Sequence, residues 1–163
     1  MALVGKLQSE VEISIPPHIF YKLFKEQIAN ITNISPKLIQ KVEHHDGDWS
    51  KHGHGSIKVW NYTIDGKAEV LKERVEFDDK NLVVRMVGLE GDVFKHYKTF
   101  IATYQVVPKG LGRSVIIFTL EYEKLNDGSP YPDKYHEAMD NLAKDIEAHL
   151  LKDTVQLVSA RLP

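Results

Sequence analysis

Apolar and polar residues alternate along LVGKLQSEVEISI, with Leu3, Leu7, Val11, Ile13 and Ile15 on one parity. A period of two marks a strand with one buried face. Ser14, Pro16 and Pro17 follow. Proline is tolerated in a first helical turn, so a helix is predicted to begin there. Ile19, Phe20, Leu23 and Phe24 then recur at helical spacing, and a second short helix is predicted from Gln27 to Asn33, before Pro36. The period returns to two in LIQKVEH, SIKVWNYTI, KAEVLKERVEF, LVVRMVGLE, HYKTFIATYQVV and RSVIIFTLEYEKL. Turn residues separate these runs: Asp65-Gly66, then Asp78 to Asn81, then Gly91-Asp92, then Pro108 to Gly112. Short strands bounded by turns in series predict an antiparallel meander, not parallel βαβ units. After NDGSPYP the pattern changes again. From Asp133 onward there is no glycine, and no proline until the last residue, while Tyr135, Met139, Leu142, Ile146 and Leu150 recur at steps of three and four. That stripe predicts a long amphipathic helix from near Asp133 past residue 150.

The order is therefore one strand, two short helices, six strands and one long helix. Each apolar face needs a cover. Seven antiparallel strands can curl into a half-barrel, the long helix can lie across its open side, and the short helices can close one end. A sheet that grips a helix leaves a cavity where side chains do not meet in the middle. The class is α+β, with residues 1–163 as a single ligand-binding domain.

Composition narrows the function. Apolar residues make up 42% and charged residues 27%, the balance of a soluble globular protein. The net charge is −2, and no run of lysine or arginine exists, so no nucleic-acid partner is expected. There is no cysteine, which excludes disulfides, thiolate chemistry and cysteine-held zinc, and favours the cytoplasm. Charges come too early in MALVGKLQSEVEI for a secretion signal, and no apolar run reaches membrane-spanning length.

One stretch stands apart. HHDGDWSKHGHGSIKVW, residues 44–60, holds four of the eight histidines, three of the ten glycines and both tryptophans. Zinc needs three or four convergent ligands. His52 and His54 sit two apart and would point the same way on a strand, but His44 and His45 are adjacent and would point oppositely, and the nearby carboxylates, Asp46 and Asp48, lie in a glycine turn, so no metal is expected. Gly47, Gly53 and Gly55 could form an anion nest, but the loop lacks the Walker lysine and runs into a strand, with no helix N-terminus to face a phosphate. A mobile, metal-free hairpin loop at the cavity rim, with Trp49 as a lip, is the expectation.

The segments LVGKL, GSIKVWNYTIDGKAEVLKERVEFDDKN, LEGDVFKHYKTF and LEYEKLNDGSPYPDKYHEAMDNLAKDIEAHLL resemble the plant major latex proteins, a branch of the birch-pollen-allergen and pathogenesis-related class 10 superfamily. The resemblance runs through nearly the whole chain in the family's order. It implies the helix-grip, START-like fold: a curved seven-stranded antiparallel sheet, two short helices and a long C-terminal helix around a hydrophobic cavity. It also places Gly47 to Gly55 where the superfamily has its glycine-rich loop. Trp49 and two histidines there depart from the allergen pattern, which weakens any transfer of nucleotide or ribonuclease chemistry.

Alternation nominates the inward side chains. In KAEVLKERVEF, Leu71 and Val75 place Glu73 inside. Val84 and Met86 point in from the next strand, then Phe100, Ala102 and Tyr104, then Ile116, Phe118, Leu120 and Tyr122. Tyr135, Met139, Leu142 and Ile146 face them from the helix. In SIKVWNYTI the pattern permits either Lys58, Trp60 and Tyr62 or Ile57, Val59 and Ile64 as the inward set, and the resemblance favours the first. Lys58 and Glu73 could instead sit at a rim in water or pair with each other. The expected pocket is mostly apolar with a few polar tips, in the usual range of about 300–1,000 Å³.

Two functions fit. One, implied by the resemblance, is binding of a hydrophobic plant small molecule, such as a terpenoid, steroid, phenolic or hormone, linked to defence or stress. The other, implied by enzymes in the superfamily, is a cofactor-independent cyclase or isomerase of iridoid or alkaloid metabolism. Glu73, Tyr122 and Lys58 are its catalytic candidates, with Glu73 a base if burial raises its pKa. The sequence has no cofactor fingerprint and no nucleophile–base pair. A monomer or weak dimer with no cofactor is expected.

Overall fold

The structure, a computed structural model, describes residues 3–44 and 54–161, with side chains as far as residue 152. Strand β1 spans Val4–Ile13 and is followed by helix α1, Pro17–Glu26. A 3-10 turn, Ile28–Asn30, leads into the short helix α2, Ile31–Ile34. Six strands follow: β2 Ile39–His44, β3 Ser56–Ile64, β4 Lys67–Asp78, β5 Val83–Gly91, β6 Tyr97–Pro108 and β7 Ser114–Lys124. Helix α3 runs from Asp133 to Arg161. The seven strands form one antiparallel sheet in the order β1-β7-β6-β5-β4-β3-β2. This is the helix-grip architecture. Strands next to each other in sequence pair in space, with one exception. β1 and β2 lie at opposite edges, and α1 and α2 carry the chain between them.

Several local features differ from the sequence reading. Helix α1 starts at Pro17 as the prolines predict, but Pro16 holds the N-cap position without a side-chain bond, and the Ser14 N–H donates to Glu147 on α3 at 2.6 Å. The second helix is a 3-10 turn plus four α-helical residues. A further 3-10 turn, Asp92–Lys95, joins β5 to β6. Leu82 belongs to the turn before β5: its φ is 54°, and its carbonyl accepts from the Val106 N–H. A leucine tolerates that backbone here because its side chain is buried, 8% exposed. The β3–β4 hairpin closes on Asp65 and Gly66, both at positive φ. That is the two-residue turn whose twist matches paired strands.

The inward face of the sheet carries the core. Along β3, Lys58, Trp60 and Tyr62 are buried, while Ile57, Val59 and Ile64 are half-buried. Helix α3 lies across this face and packs chiefly on β1 and β7. Its polar flank is tied down by Ser9 Oγ to Asp140, Ser35 Oγ to Asp145 and Lys144 Nζ to the Glu12 carbonyl. At one end Phe24 and Phe118 pack against the Tyr104 ring, with centroids 5.1 and 5.0 Å away. At the other, Tyr97, Phe100, Tyr135 and Tyr62 form a chain of edge and tilted contacts.

His45, Asp46, Gly47, Asp48, Trp49, His52 and Gly53 lie outside the described residues. So do the expectations of a mobile, metal-free loop and of a Trp49 lip.

Candidate functional site

Between the two aromatic groups, under α3, lies a cavity of about 80 Å³. Its wall is built from every layer of the fold: Phe24 from α1, Ile39 from β2, Trp60, Tyr62 and Ile64 from β3, and Leu71 and Glu73 from β4. Met86 comes from β5, Phe100 and Ala102 from β6, Phe118 and Leu120 from β7, and Tyr135, Ala138, Met139 and Leu142 from α3, with Leu38 beside them. The void is smaller than the 300–1,000 Å³ expected. Six aromatic rings and Met139 reach into the grip and fill most of it.

The pairing of β4 with β5 helps explain why space remains beside Glu73. Leu71 is opposite Gly91 and Glu73 is opposite Gly88, with a register shift between Lys72 and Glu73. A bulge of this kind lets the extra residue, Leu89, face outward while both cavity residues keep the inward parity. Neither glycine places a side chain beside them.

Glu73 is the ionisable carboxylic acid of this wall. Its side chain is 5% exposed, and among the described residues its carboxyl has no hydrogen-bond or ion-pair partner. Burial penalises the charged form and pushes its pKa up to about 8, so the group is a neutral acid at pH 7. Trp60 carries a second polar atom without a partner: its indole N–H is buried with no acceptor among the described residues.

The ion pair that the sequence allows between Lys58 and Glu73 does not form. The two are cross-strand partners, yet the Lys58 Nζ lies 2.8 Å from His44 Nδ1 and 3.3 Å from Ser56 Oγ. Burial lowers the Lys58 pKa. Lys58 and Val84 line a separate, smaller void of about 10 Å³ with Trp60, Val75 and Met86, not the main cavity.

Three other candidates are buried but line neither void. Tyr104 donates its hydroxyl to the Met139 carbonyl at 2.6 Å, so it serves as a tie between sheet and helix. Tyr122, proposed above as a catalytic group, turns to the β1 side: its hydroxyl occupies the space a side chain on Gly5 would need. Ile146 lies beyond the cavity, fully enclosed under α3. Alternation gives the face of a side chain but not its position along the barrel axis, and these three share the face without reaching the void.

Glu69 is the polar residue the sequence reading missed. Its carboxylate accepts from Tyr62 Oη at 2.9 Å and from Tyr135 Oη at 2.7 and 2.9 Å. Burial and the Glu69 charge push both tyrosine pKa values up. The signal was present, because Glu69 shares parity with Leu71 and Glu73. This contact joins the first turn of α3 to the β3–β4 hairpin at one edge of the cavity. Tyr135→Phe removes both bonds and is expected to cost about 1 kcal/mol by urea denaturation, since Glu69 is half-exposed. A change below the error of that measurement would show that the contact does not hold the helix.

A family model described as the Pathogenesis-related protein Bet v 1 family matches residues 2–153. This chain belongs to that family. Within it, the relatives are major latex proteins. MLP-like protein 31 of Arabidopsis thaliana is 39% identical over 155 residues, covering 93% of this chain and 89% of the relative. Two other Arabidopsis thaliana relatives are longer, and the chain spans 48% of the length of each. The crystal structure of major latex-like protein 151 from Panax ginseng superposes with a TM-score of 0.84 at 32% identity, over 91% of this chain and 98% of that one. Norcoclaurine synthase of Thalictrum flavum, 17% identical with a TM-score of 0.74 over 94% and 98% of the chains, shares the fold. No helix among the described residues is long and apolar enough to cross a membrane.

Proposed function

We propose that this protein binds a small hydrophobic molecule in the cavity under α3. The observation that carries the reading is a void with an apolar wall and one buried, unpartnered carboxyl. Interiors without a guest are packed nearly to crystal density, and their polar groups are paired. A site that breaks both rules at one place is a site for a guest. Trp60, Tyr62, Leu71, Glu73, Met86, Phe100, Phe118, Leu120, Tyr135, Met139 and Leu142 are the contacts we assign to it. Phe24, Leu38, Ile39, Ile64, Ala102 and Ala138 join them. A terpenoid, a steroid or a phenolic or hormone of several rings exceeds the present volume, so such a ligand requires α3 to move from the β3–β4 hairpin, where Tyr135 and Glu69 meet, whereas a single-ring molecule is the size that probes the cavity as it stands. The wider reading is a single-domain cytoplasmic carrier, monomeric or weakly dimeric, in a defence or stress response.

Toluene, followed by calorimetry, tests the cavity. The parent is expected to bind it, and Leu142→Trp is expected to weaken binding about tenfold or more, because the indole occupies the apolar area that toluene would remove from water. Failure of the parent to bind, or a Leu142→Trp variant that binds equally well, would overturn the reading.

A second reading is a cofactor-independent cyclase or isomerase. The Glu73 carboxyl, with a pKa near neutrality in a dry site, is suited to proton transfer. Turnover of alkaloid or iridoid intermediates that disappears in Glu73→Gln, with toluene affinity retained, would favour enzyme over carrier.

A further inference from the structure

We propose that the cavity selects an uncharged ligand whose polar atom is a carbonyl-type oxygen, held by the Glu73 carboxyl as hydrogen-bond donor. The inference rests on the binding role just described and adds the chemistry of the guest. Glu73 and the Trp60 indole N–H are both buried in the wall, and neither has a partner among the described residues. The rest of the wall is apolar apart from the hydroxyls of Tyr62 and Tyr135, which already donate to Glu69. A guest with no polar atom leaves Glu73 unsatisfied. A guest with an accepting oxygen gives it a partner.

Charge argues in the same direction. At neutral pH Glu73 is a neutral acid, so it donates and offers no counter-charge to a cation. Besides Lys58, the buried or partly buried titratable groups on the packed elements include His44 on β2, Tyr62 on β3, Glu69 on β4, Tyr97 and Tyr104 on β6, Tyr122 and Lys124 on β7, and Tyr135, His136 and Asp140 on α3. From β5, the residue opposite Glu73 is Gly88. An anion would lose its hydration in an apolar enclosure without reaching Lys58, which lines the separate smaller void.

The test compares cyclohexanone with methylenecyclohexane, which has the same shape without a carbonyl oxygen, and with cyclohexylamine. Binding is measured by NMR titration at pH 6.5 and pH 10 on the parent, Glu73→Gln and Glu73→Leu. In the parent at pH 6.5, the ratio of ketone to hydrocarbon affinity is expected to exceed that in Glu73→Leu by about tenfold, the effect of one net hydrogen bond. At pH 10 Glu73 is ionised and cannot donate, so the parent ratio falls towards that of Glu73→Leu. Glu73→Gln keeps an N–H donor and is expected to hold the high ratio at both pH values. A ratio that is the same in the parent and Glu73→Leu overturns the proposal, as does an amine whose affinity depends on Glu73 more strongly than the ketone's does. If the hydrocarbon binds and the ratio is flat, the cavity reading survives and this inference fails. If none of the three binds the parent, both fail.

Discussion

Replacing Glu73 with glutamine is expected to stabilise the protein at pH 9 and to change little at pH 5. Folded, the carboxyl keeps its proton up to about pH 8; unfolded, it loses it near pH 4.5. Between these values the folded state holds one proton more, so stability falls as pH rises. Below pH 4.5 both states are protonated and the full stability is present. Above pH 8 both are ionised and the loss is complete. The slope is about 1.4 kcal/mol per pH unit, which amounts to roughly 4–5 kcal/mol across the interval. Glutamine is neutral at every pH and removes this dependence. The expected result is parent and variant within about 1 kcal/mol at pH 5, and a variant more stable by several kcal/mol, or roughly 10 °C in Tm, at pH 9. Other titrating groups cancel in the difference between the two proteins. Equal differences at the two pH values would mean that the Glu73 carboxyl has water or a partner in the folded state.

Gly91→Ala is expected to destabilise the fold by about 3–5 kcal/mol, combining backbone strain with overpacking. Gly91 closes β5 at φ 142°, and a Cβ there would lie 2.3 Å from the Val70 carbonyl oxygen and 2.9 Å from the Leu71 Cα. Both obstacles are backbone, so neither can rotate away. The strain also reaches the cavity, because Gly91 is the partner of Leu71 beside the register shift that precedes Glu73. Gly66→Ala is the control. Its φ is 78°, but open space surrounds the added methyl, so only the conformational penalty of about 1 kcal/mol applies. Equilibrium urea unfolding measures both. Similar losses in the two variants would mean that β5 shifts to relieve the contact.

The elements were legible because their signals are local. The two-residue period gave β3 its bounds, Ser56–Ile64, and the stripe from Tyr135 to Leu150 placed α3 from Asp133. The inward parity of Leu71, Glu73 and Val75 was legible for the same reason. For β3 the pattern left two faces open, since Ile57 and Val59 are as apolar as Trp60 and Tyr62. Only the covering helix decides which face is dry.

By itself, then, the sequence determined strands, helices, their order and the parity of nearly every core side chain, because period and turn chemistry act between near neighbours. The tertiary structure decided the rest. It set β1 and β2 at opposite edges, left Tyr104, Tyr122 and Ile146 off the cavity wall, turned Lys58 towards His44 and brought Glu69 to two tyrosines. It also decided the size of the cavity and the charge state of Glu73. Both depend on how completely the side chains of the sheet and the helices exclude water around one point, and that distance-dependent sum has no counterpart in the spacing of residues along a chain.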